Sequence, residues 1–447
     1  MSTIDLRADF TNVTGKINRR LHSSNFTLPL SNRGINTHKD MFDRMHFYAS
    51  RTHDWALWNA GQRMVDTHFV FPLMHLDPAD PKNYYFEPTD EIIKDCVESG
   101  VKVFYRMGTS IEHSGGRHFN TLPVEDYAKY AEILAGIIRH YTQGWANGFH
   151  YDMEYWEIWN EPDCGPVMWN ETLDDFIKFY VIVLKRLKAE FPTLKIGGPA
   201  QCWLNTDFFT KLLLACKDAD IAPDFISWHC YTTNARDLIQ QGNKGRKLLD
   251  SLGFTKTETC INEWHYIVTW WGLHSEVTPQ RHQLGFNKDA GLHSMESAAF
   301  NLAVLTGWQD TALDTAFYYG AAPYGAWGFY TADYDFNKNY FSMVLYGEVM
   351  ENYTNKAKVE NLTSTIYSLA ALSEDGKKGA LIISDYGGSQ PKIVVDLKTP
   401  VAPKSVVVEI LDGERNIVPC DFVLNGNELT LVKGKDGSAA FLVKFDF

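Results

Sequence analysis

The chain has 447 residues, with 42 Lys and Arg against 55 Asp and Glu, a formal net charge of −13 and a pI near 5.6. With 45% hydrophobic and 22% charged residues this is ordinary globular material, long enough for one large domain and one small one. An acidic chain offers no global basic field, so nucleic acid and anionic membranes are excluded as general partners and a neutral substrate fits better. Seven cysteines are scattered without a CxxC pair or zinc spacing, and they read as buried thiols with neither metal nor cofactor implied. No apolar run approaches a membrane span, and MSTIDLRADF lacks the regions of a signal peptide. Localisation stays open between cytoplasm and a secreted or periplasmic form that has lost its leader. The oligomeric state is open too, a homo-oligomer included.

At the N-terminus, TIDLRADF alternates like a half-buried strand, so residues 1–15 are expected to pair with a sheet formed elsewhere. From 16 to 357, eight strand candidates alternate with helical patterns: 19–26, 46–54, 101–108, 155–161, 194–200, 224–232, 257–264 and 315–322. Two helices stand out between them. Tyr127, Tyr130, Ala131, Leu134, Ile137, Ile138 and Tyr141 share one apolar face, and a second helix starts at Thr172 with Asp175 at capping-box spacing and ends before Pro192. Eight strands with helices over about 300 residues predict an α/β fold of the (β/α)8 TIM barrel type. No glycine-rich fingerprint follows an early strand, which disfavours a doubly wound nucleotide-binding sheet. After 358 the pattern becomes short alternating strands between Gly, Asp and Asn turns, so residues 358–447 are expected to form a β-sandwich.

The stretch YWEIWNEPDCG, Tyr155 to Gly165, carries the first functional signal. Alternation places Tyr155, Glu157, Trp159 and Glu161 on one face, and Pro162 should stop pairing near Glu161, leaving that carboxylate at the C-terminal rim where parallel folds keep their chemistry. A second strand ends likewise in TETCINEWHY, with Glu263 after Asn262. Counting puts Glu161 on the fourth barrel strand and Glu263 on the seventh, and a barrel brings such distant positions face to face. Glycoside hydrolysis needs such a pair: one acid to protonate the leaving oxygen, one carboxylate to attack the anomeric carbon or activate water.

WNEP on the fourth strand with a rim Glu on the seventh resembles the clan A retaining glycoside hydrolases. EIWNEPD, Arg51-Thr-His53, His229-Cys-Tyr231 and the C-terminal sheet resemble family 39 in particular, the β-xylosidases and α-L-iduronidases. That resemblance implies Glu161 as acid/base and Glu263 as nucleophile. It further implies Asn160 on the sugar 2-hydroxyl, His229 and Tyr231 lining the sugar subsite, Arg51 favouring charge on Glu263, His53 on the sugar and Trp327 as an aromatic floor. Tyr324 and Phe329 compete with Trp327 for that last place. Trp264 beside the nucleophile and Cys164 beyond the acid depart from the pattern, and Trp264 is expected to remodel the pocket.

Other readings compete. Glu157 is expected to be a buried structural acid paired with an arginine, His68 and His75 packing or loop residues, and His113 a solvated loop residue. A silent carbohydrate-binding protein on this scaffold would not need Glu161 and Glu263 intact, and a metal-dependent hydrolase would want His and Asp clustered at several rims. The reading adopted is a retaining exo-glycosidase acting on a neutral sugar, β-xylose first and another neutral pyranose or an arabinoside second; the alternative is the same mechanism on another sugar, an arabinoside, galactoside or iduronide. Arg51 and Arg106 are the candidate rim arginines, and neither reads as a dedicated clamp for a sugar carboxylate. Trp264, Trp270, Trp271 and Trp327 are expected to wall off one end.

Overall fold

The computed structural model describes residues 3–26, 39–54, 64–111, 126–268, 291–322, 327–330, 335–433 and 437–447. After β1 (Leu6–Lys16) come β2 (Ser23–Asn25), β3 (Ala49–Arg51), β4 (Lys102–Met107), β5 (Tyr155–Ile158), β6 (Lys195–Gln201), β7 (Phe225–Thr232), β8 (Glu258–Tyr266) and β9 (Thr315–Tyr318). The eight strands β2 to β9 form a closed parallel barrel, one strand at each of the eight candidate segments, with β6 running one residue and β8 two residues past theirs. His113, Trp270, Trp271 and Tyr324 lie outside the described residues.

The barrel interior is layered by the period of two. Ala49, Phe104, Phe225, Cys260 and Phe317, joined by Tyr48 and Tyr155, make an apolar floor near the strands' N-terminal ends. Two residues further along the same strands stand Arg51, Arg106, Glu157, Ser227 and Asn262, all fully or almost fully buried. The helices outside bear out the sequence pattern. Helix Tyr127–Gln143 buries its apolar face, and helix Leu173–Glu190 starts with the Thr172 hydroxyl accepting from the Asp175 N–H at 3.1 Å. Only half of the capping box forms, because the Asp175 carboxylate accepts instead from the Tyr127 hydroxyl.

The remaining strands are β10 (Asn355–Asn361), β11 (Ile366–Leu372), β12 (Lys378–Asp385), β13 (Lys392–Lys398), β14 (Ser405–Leu411), β15 (Asn416–Pro419), β16 (Phe422–Asn425), β17 (Glu428–Val432) and β18 (Ala439–Asp446). With β1 they make one mixed sheet of ten strands in the order β15-β14-β18-β12-β11-β10-β1-β13-β17-β16. β1 pairs antiparallel with β10 and parallel with β13. β1 and β18 stand four places apart, about 19 Å in a flat sheet. Yet the rings of Phe10 and Phe445 are 5.2 Å apart, so the sheet curls over its own core. The other face of β11, β12 and β18, through Leu369, Ala371, Ile382 and Leu442, joins the barrel's core. Helix Met295–Trp308 lies between the two, with Ser384 Oγ donating to the Ala299 carbonyl at 2.7 Å. Buried on nearly every side, that helix has no polar face to present, which its sequence MESAAFNLAVLTGW reflects.

Candidate active site

Both candidate carboxylates reach the barrel mouth by breaking alternation. Regular pairing of β5 ends at Ile158, three residues before the expected stop at Glu161. Trp159 and Glu161 then take φ of 74° and 45°, in the left-handed region that non-glycine residues seldom occupy. Those turns send the Trp159 ring outward among Tyr130, Trp169 and Phe179, and not onto the face of Glu161 as simple alternation predicts. Asn160 and Glu161 turn to the centre, and the Glu161 N–H is held by the Ala200 carbonyl at 2.9 Å. On β8 the device is a bulge: Ile261 pairs with Trp228 but Glu263 with His229, so Asn262 and Glu263 both face inward. The bulge also corrects the expectation for Trp264. It is fully buried against Trp308 and Tyr318 on the helix side, away from the pocket.

Arg51 is the hub of the polar layer. Its Nε donates to Glu157 Oε2 at 2.7 Å, Nη1 to Glu263 Oε1 at 2.9 Å and to Asn25 Oδ1 at 3.0 Å, and Nη2 to Asn160 Oδ1 at 2.7 Å. Burial works against its charge, but Glu157 and Glu263 outweigh that and hold the guanidinium above its ordinary pKa. Glu157 also accepts from Ser227 at 2.5 Å and Asn262 at 2.6 Å, so it is the buried structural acid the sequence suggested. With the Asn160 oxygen taken by Arg51, the amide NH2 is not the group that meets the guanidinium.

Glu263 accepts from the Tyr231 hydroxyl at 2.6 Å. Burial, and then the charge of Glu263, push the Tyr231 phenol well above its usual pKa, so it remains a donor. His229 Nδ1 lies 2.9 Å from Glu161 Oε1 and 3.3 Å from Glu263 Oε2. Burial lowers its pKa, partly offset by Glu263, so a neutral ring stands between two acids. Facing carboxylates, Nδ1 is the nitrogen that carries the hydrogen; Nε2 is buried without a partner among the described residues. Glu161, His229 and Glu263 each present an atom within 4.8 Å of the other two.

The remaining candidates gather around this centre as an aromatic wall. His53 Nδ1 donates to the Asp54 carbonyl at 2.7 Å, which leaves Nε2 as an acceptor. Burial, then Arg106 and Arg51, hold its pKa well below the ordinary value. Trp327 packs beside Tyr231, ring centroids 5.6 Å apart, while Phe329 stacks on Tyr318 in the core. Tyr319 contacts Phe26, His53, Tyr231 and Trp327, and was missed as a site residue although alternation from Phe317 points it inward. Arg106 is fully buried on Asp66 and Ser110, each at 2.6 Å, so it is no rim clamp. His75 is exposed, and His68 lies on the short helix Thr67–Val70 against Phe69. A depression of about 480 Å³ lined by Lys217, Phe254 and Thr257 opens among the loops entering the strands, at the opposite end from the carboxylates.

Among known proteins, residues 33–241 match the model of the glycosyl hydrolases family 39. That stretch runs from before β3 into the helix that follows β7. The matched stretch carries Arg51, His53, Asn160, Glu161, His229 and Tyr231; Glu263 and Trp327 lie beyond it. Over 161 residues the chain is 28% identical to a β-xylosidase of Geobacillus stearothermophilus, covering 34% of this chain and 31% of that protein. The alignment therefore spans about a third of that curated relative. Two solved structures match the whole chain in fold. A glucosidase from Croceicoccus marinus has a TM-score of 0.78 at 20% identity, and a family 39 β-xylosidase from Caulobacter crescentus has 0.70 at 14%, each covering 100% of both chains.

Proposed function

We propose that the chain is a retaining glycoside hydrolase that removes a neutral monosaccharide, β-xylose first, from the end of short oligosaccharides by double displacement. The observation that carries this reading is the approach of the two acids: carboxylate oxygens of Glu161 and Glu263 lie within 4.8 Å. Retaining enzymes hold their carboxyls about 5–5.5 Å apart, whereas inversion needs about 6.5–9.5 Å to admit a water.

The roles follow from the partners. Glu263 is gripped by Arg51 and Tyr231, which aim it as the nucleophile. Glu161 meets the neutral His229, Nδ1 to Oε1 at 2.9 Å, which suits a group that gives and takes a proton. In the first step Glu161 protonates the glycosidic oxygen as a Glu263 oxygen attacks the anomeric carbon; the glycosidic bond breaks and an ester to Glu263 forms. In the second, Glu161 takes a proton from water, whose oxygen attacks the same carbon and releases Glu263. The Asn160 NH2 and His53 Nε2 are placed to bind sugar hydroxyls as the transition state develops.

A neutral sugar is supported because Arg51 is engaged by Glu157, Glu263, Asn25 and Asn160, and Arg106 is fully buried with its Nη2 on Asp66 and Ser110. β-Xylose is preferred on the similarity to the Geobacillus β-xylosidase. Trp203, 63% exposed just after β6, offers a stacking face for the next sugar. The test is azide rescue with aryl β-xylosides beside glucoside, galactoside, arabinoside and iduronide controls. Glu263→Gly should lose turnover and recover with azide to give a glycosyl azide of inverted configuration. Glu161→Ala should spare substrates with good leaving groups and give a retained azide. Swapped products would reverse the two roles, and inversion by the parent enzyme in NMR would reject double displacement. Faster release of a control sugar would overturn xylose and leave the mechanism standing.

A further inference from the structure

Two thiols beside Glu161 have no part in the chemistry above. Cys164 lies in the turn that follows the acid, its N–H donating to the Glu161 carbonyl at 3.0 Å. Cys202 comes from the next strand's end, its N–H donating to Asp163 Oδ1 at 3.0 Å. With the Glu161 N–H on the Ala200 carbonyl at 2.9 Å, two hydrogen bonds tie the segments together. The Sγ atoms of Cys164 and Cys202 and a Glu161 oxygen lie within 4.8 Å of one another. Cys96, Cys216 and Cys260 are buried, whereas both of these thiols are only partly covered.

We infer that Cys164, Cys202 and Glu161 form a binding site for one thiophilic divalent cation, of which zinc is the reference, and that occupancy ties up the Glu161 carboxylate and stops turnover. Two sulfurs and one oxygen make the donor set of a tetrahedral zinc site with a fourth place left to water. With Zn–S near 2.3 Å and Zn–O near 2.0 Å, ligand atoms in such a site stand about 3.5–4 Å apart, a closure of at most roughly 1 Å from the spacing here. Thiolates select soft cations over magnesium or calcium. The other donor group at the site, Glu161, His229 and Glu263, is a poorer host because the Arg51 guanidinium already lies 2.9 Å from Glu263. A cation captured on the thiol side takes the acid/base and leaves the nucleophile with Arg51.

The binding half of the inference stands on the thiols alone; the inhibitory half rests on Glu161 being the acid/base. The test uses the full, reduced chain titrated with Co²⁺ and then Zn²⁺. A thiolate-to-cobalt charge-transfer band with the visible absorption of a tetrahedral site is expected at one ion per chain. Cys164→Ser and Cys202→Ser should each remove the band and weaken Zn²⁺ binding by about tenfold or more. Glu161→Gln should keep the band while weakening binding. Zn²⁺ should suppress hydrolysis by the parent reversibly with a chelator, and each serine variant, compared with its own metal-free rate, should need about tenfold or more Zn²⁺ for the same suppression. Absence of the band in the parent, or its survival in both serine variants with native circular dichroism, overturns the site. A band lost in both variants with hydrolysis unaffected by bound Zn²⁺ overturns the inhibition and the role of Glu161 with it, while a chain without hydrolysis is still decided by the cobalt spectrum.

Discussion

Two layers inside the barrel, drawn from the same strands and the same inward face, differ completely in chemistry. Ala49, Phe104, Tyr155, Phe225 and Cys260 form the floor; two residues on, about 6.6 Å higher, Arg51, Arg106, Glu157, Ser227 and Asn262 take their places. The comparison teaches how a buried charge cluster is made affordable. The apolar floor closes the barrel from below, so the hydrogen bonds above it act in a poorly polarisable setting where each is stronger and each omission costs more. The floor should therefore be replaceable at a cost in stability alone, and the layer above it only at a cost in both stability and turnover.

The largest contrast is Arg51→Leu against Phe104→Ala. Removing Arg51 leaves Glu157 and Glu263 without their cation and should destabilise by about 3–5 kcal/mol, with turnover lost even where the chain is folded. Phe104→Ala opens a cavity and should also cost about 3–5 kcal/mol, yet keep kcat within about tenfold at a temperature where it is folded. Urea unfolding and initial rates on the same two proteins decide this. Equal loss of activity in both would mean that the layers are not separable.

A smaller effect distinguishes the two ends of the barrel by pH. His22, just before β2 at the floor end, and His265, near the end of β8 at the rim, are each held by burial at a pKa of about 3. Each is neutral when folded but takes up a proton near pH 6.5 when unfolded. Their stabilisation is therefore complete above about 6.5 and is lost as pH falls toward 3, at about 1.4 kcal/mol per pH unit for each. His265→Gln should reduce the slope of unfolding free energy against pH by one such increment; an unchanged slope would show that the rim histidine is not held neutral.

The smallest expected effect sharpens the upper layer itself. Tyr231→Phe removes only the hydroxyl that donates to Glu263. A hydrogen bond to a charged group contributes about 1.5–3 kcal/mol, so kcat should fall about ten- to a hundredfold. Initial rates on an aryl β-xyloside check this, with unfolding shifted by less than for either layer substitution. An unchanged kcat would mean that Arg51 alone orients the nucleophile.

Much of this was written in the chain order. Eight strand segments were legible because strands buried on both sides are short apolar runs, and the helices between them show a period near 3.6. The rim acids were legible because Asn-Glu ends two of those runs. Glu157 could be assigned to structure because it sits two alternation steps below Glu161. Local pattern does not report where alternation fails. The left-handed turns at Trp159 and Glu161 and the bulge at Asn262 are settled by the barrel's closure, and they decide that Trp159 and Trp264 pack outward while Asn160 and Glu263 turn in. Nor does local pattern report distance. Arg51, Glu157 and Glu263 stand far apart along the chain, as do Cys164 and Cys202, and only the lateral pairing of neighbouring strands and the closing of the barrel bring them together. Residue type and period are properties of a segment and can be read from it, whereas the aim and separation of side chains depend on which strand lies alongside, which is a property of the whole fold.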